Sequence, residues 1–265
     1  MKDEGFKVEK KNNIATLILN RPEKLNSITV KMGNVSLPAV FEELRQDEGV
    51  KVIVITGAGD SFCSGADLNS VLKTGALWDK DMGISERVQP ILPFTLPLYN
   101  MPKPVIAAVN GMAAGAGLSI ALLSDIRIAS EKAKFSFIFS RRGTIPDCGA
   151  TFLVPRLIGT GKAFELMYTG DIMDAKEAER IGLVNKVVPA DALMEETYSL
   201  AERLAKGAPL ALAQMKNAIH RGLSNDFEQQ LYFETYAVNF CYGTEDVQEA
   251  IKSFLEKREP RFKGR

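Results

Sequence analysis

Two loops in this 265-residue chain carry residue patterns suited to chemistry by the backbone itself. The first, Ser61-Phe62-Cys63-Ser64-Gly65-Ala66-Asp67-Leu68, follows the strand-like run KVIVITG. The second, Asn110-Gly111-Met112-Ala113-Ala114-Gly115-Ala116-Gly117, follows PVIAAV and precedes the helix-like LSIALLSD. Small residues let the backbone approach a ligand closely, and a helix N-terminus presents unpaired N–H groups with a partial positive charge. Two such loops brought together would offer two backbone donors to one oxygen, an oxyanion hole. The same Gly/Ala pattern at strand ends also serves plain close packing, and pattern alone leaves both readings open. The order GMAAGAG departs from G-x-G-x-x-G, and no acidic residue closes a following strand in the expected way. Both facts count against a dinucleotide site.

Few other residues are candidates for chemistry. Asp147, in Gly143-Thr144-Ile145-Pro146-Asp147-Cys148-Gly149, stands before a helical run, where Pro-Asp is a common N-cap. His220 is the only histidine; it sits near the end of a helical segment, where capping is its expected role. Cys63, Cys148 and Cys241 lack metal-ligand spacing, and with a single histidine no zinc site is expected.

The elements that must position these loops follow from apolar runs at Ile14–Leu19, Val52–Thr56, Val105–Val109, Ile126–Ala129 and Leu183–Val188. Each is followed by a turn and then by a helical pattern, which predicts an α/β fold with largely parallel strands. The spacing permits a doubly wound sheet and does not by itself identify a spiral of β-β-α turns. From Asp191 onward the period becomes helical, with four amphipathic helices expected over Asp191–Lys206, Pro209–Arg221, Asp226–Tyr242 and Glu245–Lys257. Gly207, Gly222 and Gly243 punctuate them. Such an appendage serves assembly or covers the sheet, and the pattern does not choose. The domain expectation is a core over 1–190 and a helical region over 191–265.

Composition narrows the partners. Hydrophobic residues make up 46% and charged residues 25%, and 33 Lys+Arg balance 33 Asp+Glu. That balance gives no electrostatic reason to expect nucleic acid or an anionic membrane. The charged start MKDEGFKVEKKNN has no apolar core, and no run approaches the roughly 18 apolar residues of a membrane span. A cytoplasmic protein is expected.

The ordered set NRPEKLNS, VIVITGAGDSFCSGADL, PVIAAVNGMAAGAGLSIALLSDIRIAS, FSRRGTIPDCGATFLVPRLIG, TGDIMDAKEAERIGLVNKVVP and FLEKREPRF resembles the enoyl-CoA hydratase/isomerase (crotonase) superfamily over almost the whole chain. The resemblance implies a crotonase-type spiral of β-β-α turns, a C-terminal helical trimerisation region, and a homotrimer or dimer of trimers. It implies an acyl-CoA ligand, with CoA arriving as part of the substrate and no separate cofactor or metal. It also implies that the backbone N–H groups of Ala66 and Ala116 hold the thioester oxygen as an enolate forms. The family usually has Gly where Ala116 stands; a backbone donor survives that change where φ and ψ are allowed. Asp67, Leu68 and Gly117 flank the two donors and are expected to bind the substrate. Lys24 and, from a neighbouring subunit, Phe254 and Lys257 resemble positions at the CoA nucleotide end.

The chain departs from the hydratases of this family, which carry two glutamates to handle the attacking water and the delivered proton. The motif match puts Ser119 and Phe139 at those places. Ser119 would hold a water or a substrate group, and Phe139 would line an apolar pocket. Asp147 is the replacement acid/base, at a place where most hydratases of the family have Gly, and IPDCGATFLVPRLIG resembles the ring-1,2-epoxyphenylacetyl-CoA isomerases. Dehalogenases sharing this aspartate also have a histidine on a preceding helix, and QPILPFTLPLYN contains none. The expectation is therefore an acyl-CoA isomerase, with a 2-enoyl-CoA hydratase or a catalytically silent acyl-CoA- or RNA-binding relative as alternatives. Asp125 is read as structural. Arg141 and Arg142 suit either solvated charge or CoA phosphates, and Trp78 lies in a stretch read as a solvated loop.

Overall fold

The computed structural model describes residues 5–74 and 93–265. Trp78 and the start of QPILPFTLPLYN lie outside the described residues. Six strands form the larger sheet in the order β1-β2-β3-β5-β7-β10. They are β1 (Phe6–Lys11), β2 (Ile14–Leu19), β3 (Val52–Gly57), β5 (Val105–Val109), β7 (Ile126–Ser130) and β10 (Lys186–Val188). All neighbours are parallel except the hairpin β1–β2. Four three-residue strands form a second sheet in the order β4-β6-β8-β9: β4 (Ser61–Cys63), β6 (Met112–Ala114), β8 (Lys134–Ser136) and β9 (Ile172–Asp174).

The chain passes from a long strand to a short one and then to a helix, and repeats. Strands β3 and β4 lead to the helix Leu68–Thr74, and β5 and β6 lead to the helix Ala116–Leu123. This is the β-β-α spiral implied by the family resemblance. Strand residues 52–55 are completely buried because both faces of the parallel sheet are covered, which is why they read as an unbroken apolar run. Strand β1 reads FKVEKK and is mostly exposed; its lysines suit an edge that must not pair with another chain. The segment 183–185, expected as strand, is a bend, and only Lys186–Val188 pairs with β7.

The main core lies between the sheets and around the helix Ala116–Leu123, all eight of whose residues are buried. That explains its lack of an amphipathic pattern: a helix buried all round has no polar face. On the outer face of the larger sheet, Val52, Val54, Ile106, Ala108 and Ile128 meet Leu193 and Ala201 of the helix Leu193–Ala205. Burying one such large aliphatic side chain contributes about 1.5–3 kcal/mol. Three further helices follow: Pro209–Gly222, Phe227–Tyr242 and Glu245–Leu255. Asp226 and Gln229 form a capping box at the second of these, and the Thr244 hydroxyl caps the third.

The helix Pro209–Gly222 is fastened to the core at two points. Lys216 Nζ lies 2.9 Å from Asp125 Oδ1, and Asp125 Oδ2 also accepts from the Val105 amide at 2.8 Å. The imidazole of His220 stacks on the Tyr99 ring with centroids 4.1 Å apart. Asp125 and His220 therefore act in packing. No helix among the described residues is long and apolar enough to cross a membrane.

Candidate active site

Two donors stand on adjacent loops. Ala66 forms a parallel bridge with Ile28: the Ile28 amide donates to Gly65 O, and the Asp67 amide donates to Ile28 O, both at 2.8 Å. In such a bridge the central residue's own N–H points to the opposite side. Ala116 is the first residue of its helix, where an amide has no intrahelical acceptor. Each donor follows a glycine with positive φ: Gly65 at +98° and Gly115 at +51°. A Cβ on Gly65 would stand 2.9 Å from Ala114 O and 3.4 Å from the Ala116 nitrogen. The two loops are in van der Waals contact at this point, and only glycine permits the approach. Ala116 itself has no positive φ, so alanine is tolerated there.

The residues flanking the donors hold the loops in place. Gly117 lies against β4, where an added Cβ would come within 2.2 Å of Cys63 O. Its bareness therefore serves helix-to-strand packing. Asp67 has both oxygens engaged: Oδ2 accepts from Arg21 Nη2 at 2.8 Å, and Oδ1 from the amides of Asn69 and Ser70 at 3.1 and 3.2 Å. The guanidinium holds the Asp67 carboxyl below its ordinary range, and the carboxylate caps the helix Leu68–Thr74. Leu68, 52% exposed, opens that helix at the surface.

Asn26 was not singled out by sequence reasoning. It is buried, accepts from the Arg21 amide, and donates to Ala58 O and Ser61 O at 2.8 and 2.7 Å. Leu25 and Asn26 both take left-handed backbone, and Leu25 O accepts from the Ser64 amide at 3.0 Å. This pins NRPEKLNS beneath the first donor loop. Its signal was an asparagine at the end of a Pro-containing turn, a residue type that tolerates positive φ.

Asp147 approaches the second loop through Ser119. The Ser119 hydroxyl is buried and lies 3.4 Å from both Gly115 O and Asp147 O. The Phe139 ring, 6% exposed, reaches within 4.0 Å of where a Cβ on Gly115 would be. Asp147 does not cap the following helix. Gly149 occupies that place with no side-chain bond, and it is the Asp147 carbonyl that accepts from the Ala150 amide at 3.0 Å. The carboxyl is half-buried, and burial pushes it above its ordinary value. Asp147 Oδ1 is the only buried side-chain N or O atom without a hydrogen-bond partner among the described residues. An orphaned acceptor of this kind calls for an explanation, and a proton brought by a ligand is one.

The remaining sequence candidates lie elsewhere. Lys24 ends an exposed 3₁₀ turn, Pro22–Lys24, on the loop that Asn26 fastens. Phe254, 82% exposed, belongs to the C-terminal helix; Lys257 lies just beyond it with φ +53°. That helix packs mainly on Phe227–Tyr242, so neither residue joins the site of its own chain. Arg141 pairs with Asp171 on the surface. Among the described residues no group of three His, Cys, Asp or Glu side chains has metal-binding geometry.

A β-β-α spiral of this kind is the fold of the crotonase superfamily of enzymes. The chain belongs to the enoyl-CoA hydratase/isomerase family, whose model matches residues 9–265. It is 38% identical to a 1,2-epoxyphenylacetyl-CoA isomerase of Escherichia coli K12 over 254 residues, covering 95% of each chain. It is 37% identical to a crotonyl-CoA hydratase of Syntrophomonas wolfei over 261 residues, covering 98% of each. Among solved structures, an enoyl-CoA hydratase from Bacillus anthracis superposes with a TM-score of 0.87 at 33% identity, covering 98% of this chain and 100% of that one.

Proposed function

We propose that this protein is an acyl-CoA isomerase that moves a double bond or opens an epoxide-type ring through an enolate held by the amides of Ala66 and Ala116. Asp147 takes a proton from one carbon and returns it to another. The observation that carries this reading is the orphaned, buried Oδ1 of Asp147, on a carboxyl whose ionised form burial disfavours. A carboxyl raised in this way takes up a proton more readily than a free one, which suits it to exchanging a proton with a ligand. Two preorganised backbone donors supply the other half, since removing one such donor typically costs about 2.7–4 kcal/mol of transition-state stabilisation. The likeness to an enzyme named 1,2-epoxyphenylacetyl-CoA isomerase supports the assignment. Ser119 and Phe139, where hydratases of the family keep two glutamates, remove the usual means of activating water.

The same proposal covers the surroundings of the site. Residues 1–190 carry the acyl-CoA site and 191–265 the assembly region of a cytoplasmic homotrimer or dimer of trimers. Lys24, with Phe254 and Lys257 from a neighbouring subunit, meets the nucleotide end of CoA. No separate cofactor takes part.

A panel of 2-enoyl-, 3-enoyl- and arylacetyl-CoA thioesters, with product analysis, tests the reading. The expected result is conversion of 3-enoyl to 2-enoyl thioester faster than addition of water to the 2-enoyl form. Hydration outrunning isomerisation would favour the hydratase alternative, which the crotonyl-CoA hydratase likeness supports. Binding without turnover on any thioester would favour a silent acyl-CoA-binding protein.

A further inference from the structure

Arg21 stands at the start of the turn Pro22–Lys24, with its amide on Asn26 Oδ1 at 2.8 Å and its carbonyl accepting from the Lys24 and Asn26 amides. Its side chain then crosses to the first donor loop. The stem lies against Gly5, where an added Cβ would stand 2.9 Å from Arg21 Cδ. Beyond the stem the guanidinium forks: Nη1 donates to Ser27 O at 2.7 Å, and Nη2 donates to Asp67 Oδ2 at 2.8 Å. The Arg21 and Asp67 side chains are only 21% and 13% exposed. Charge-assisted bonds of this kind are roughly twice as strong as neutral ones, and the planar fork fixes direction as well.

The two acceptors flank a single bridged pair. Ser27 precedes Ile28, Asp67 follows Ala66, and Ile28 pairs with Ala66. The two bonds of that bridge both belong to Ile28, through its amide and its carbonyl. Alone they resist poorly a roll of the segment 65–67 about their common line, and such a roll would swing the Ala66 N–H. Ala66 is exposed, so packing of its methyl group does not set that direction either. The guanidinium supplies a support off the line of the bridge. Farther along, the Val30 amide donates to Ser70 Oγ at 3.1 Å and ties the same two segments again.

We propose that Arg21 is a positioning residue for the reaction: its two-armed guanidinium, held between Ser27 O and the Asp67 carboxylate, fixes the direction in which the Ala66 amide donates to the thioester oxygen. The inference rests on the reading of Ala66 as an oxyanion donor. It adds that the fork is required and charge alone does not suffice, since a lysine puts one nitrogen where two are needed. A hydrogen bond weakens steeply as its angle closes, and groups at a reacting centre must be held within about 10–20° of the productive direction.

Two variants test it. Arg21→Lys keeps a positive charge beside Asp67 and should keep the fold; Arg21→Ala removes both arms. Circular dichroism and thermal melting establish folding, and Arg21→Lys alone decides if the alanine variant unfolds. The first readout needs no turnover: the carbon-13 resonance of a saturated acyl-CoA labelled at the thioester carbonyl and bound to the protein. Donors on the carbonyl oxygen move this resonance downfield, and both variants should lose roughly half of the wild-type shift, as one of two donors is misaimed. The second readout is kinetic, on the thioester that the wild type turns over fastest. There kcat should fall about 10–10²-fold with little change in KM, because the donor counts most where charge develops on oxygen. A folded Arg21→Lys with wild-type kcat and carbonyl shift would overturn the inference. So would a fall in kcat with the carbonyl shift intact, which is what a merely structural role gives. If the wild type itself shows no carbonyl shift on binding, the oxyanion reading of Ala66 falls, and the role of Arg21 falls with it.

Discussion

The Ser119 hydroxyl lies 3.4 Å from the main-chain oxygen of Asp147, which ties the helix that presents the Ala116 amide to the turn that presents the carboxylate. The same hydroxyl lies 3.4 Å from Gly115 O, so one buried side chain touches both halves of the site. Both distances are long for O–H···O bonds, and a hydroxyl has a single proton to share between them. Ser119 thus serves as a spacer between the two loops, and a water-holding role would compete with that tie.

Gly65→Ala should separate the donors. The new Cβ would meet Ala114 O at 2.9 Å, at a residue whose φ is +98°. The two loops must part, and turnover should fall by about 10²–10³-fold, the loss typical of one missing donor. Acyl-CoA binding measured by calorimetry, alongside circular dichroism, separates this from unfolding. A folded variant with normal turnover would show that the close approach is unnecessary.

Asp147→Asn should stabilise the fold while it abolishes chemistry. The folded carboxyl titrates above its ordinary 3.8, so the native state binds the proton more tightly than the unfolded chain does. Stability from this group is present in acid and is lost as pH rises through the raised folded value. At pH 8 the wild type holds a desolvated carboxylate that the amide variant lacks. Thermal melting should show a higher Tm for the variant at pH 8 and a smaller difference near pH 4. A variant that melts lower at pH 8 would contradict the burial account.

His220 should make the helix Pro209–Gly222 sensitive to acid. Burial and the nearby Lys216 depress its imidazole below 6.5, with Asp125 opposing. The folded state then takes up the proton later than the unfolded chain does. Stability is therefore lost as pH falls from about 6.5 through the depressed folded value. His220→Phe keeps a ring on Tyr99 and removes the titration, so its melting temperature should fall less between pH 7 and pH 5. Equal acid sensitivity in both proteins would assign the effect to another group.

Much of the fold was legible in the residues. The strands Ile14–Leu19 and Val105–Val109 and the four C-terminal helices are where the periodicity put them, because long amphipathic or wholly buried segments announce their period. Strand β1 was missed because FKVEKK is rich in lysine and forms an exposed edge. Strands β4, β6, β8 and β9 were missed because three residues are too few to show alternation. At the site, the two small-residue loops and Asp147 stood out in the sequence. The tie from Ser119 and the anchoring by Asn26 were not, since both depend on contacts between segments distant in sequence.

The proposed assembly would cover what a lone chain leaves exposed. On the helix Phe227–Tyr242 the large side chains Phe227, Tyr232 and Tyr236 are 80%, 70% and 66% exposed. Light scattering at micromolar concentration should report three or six chains, consistent with an apolar surface of this kind marking an interface. A stable monomer would remove the proposed contribution of Phe254 and Lys257 across a subunit boundary.

The central claim is proton transfer by Asp147 at an acyl-CoA held by two backbone donors. Hydrogen–deuterium exchange at the α and γ carbons of a 3-enoyl-CoA in heavy water, followed by mass spectrometry, tests it most directly. The wild type should introduce deuterium while forming the 2-enoyl thioester. Asp147→Asn should bind the thioester yet lose this exchange by about 10²–10⁴-fold, the usual worth of a general base. Exchange at the wild-type rate in Asp147→Asn would contradict the account and place the acid/base group elsewhere.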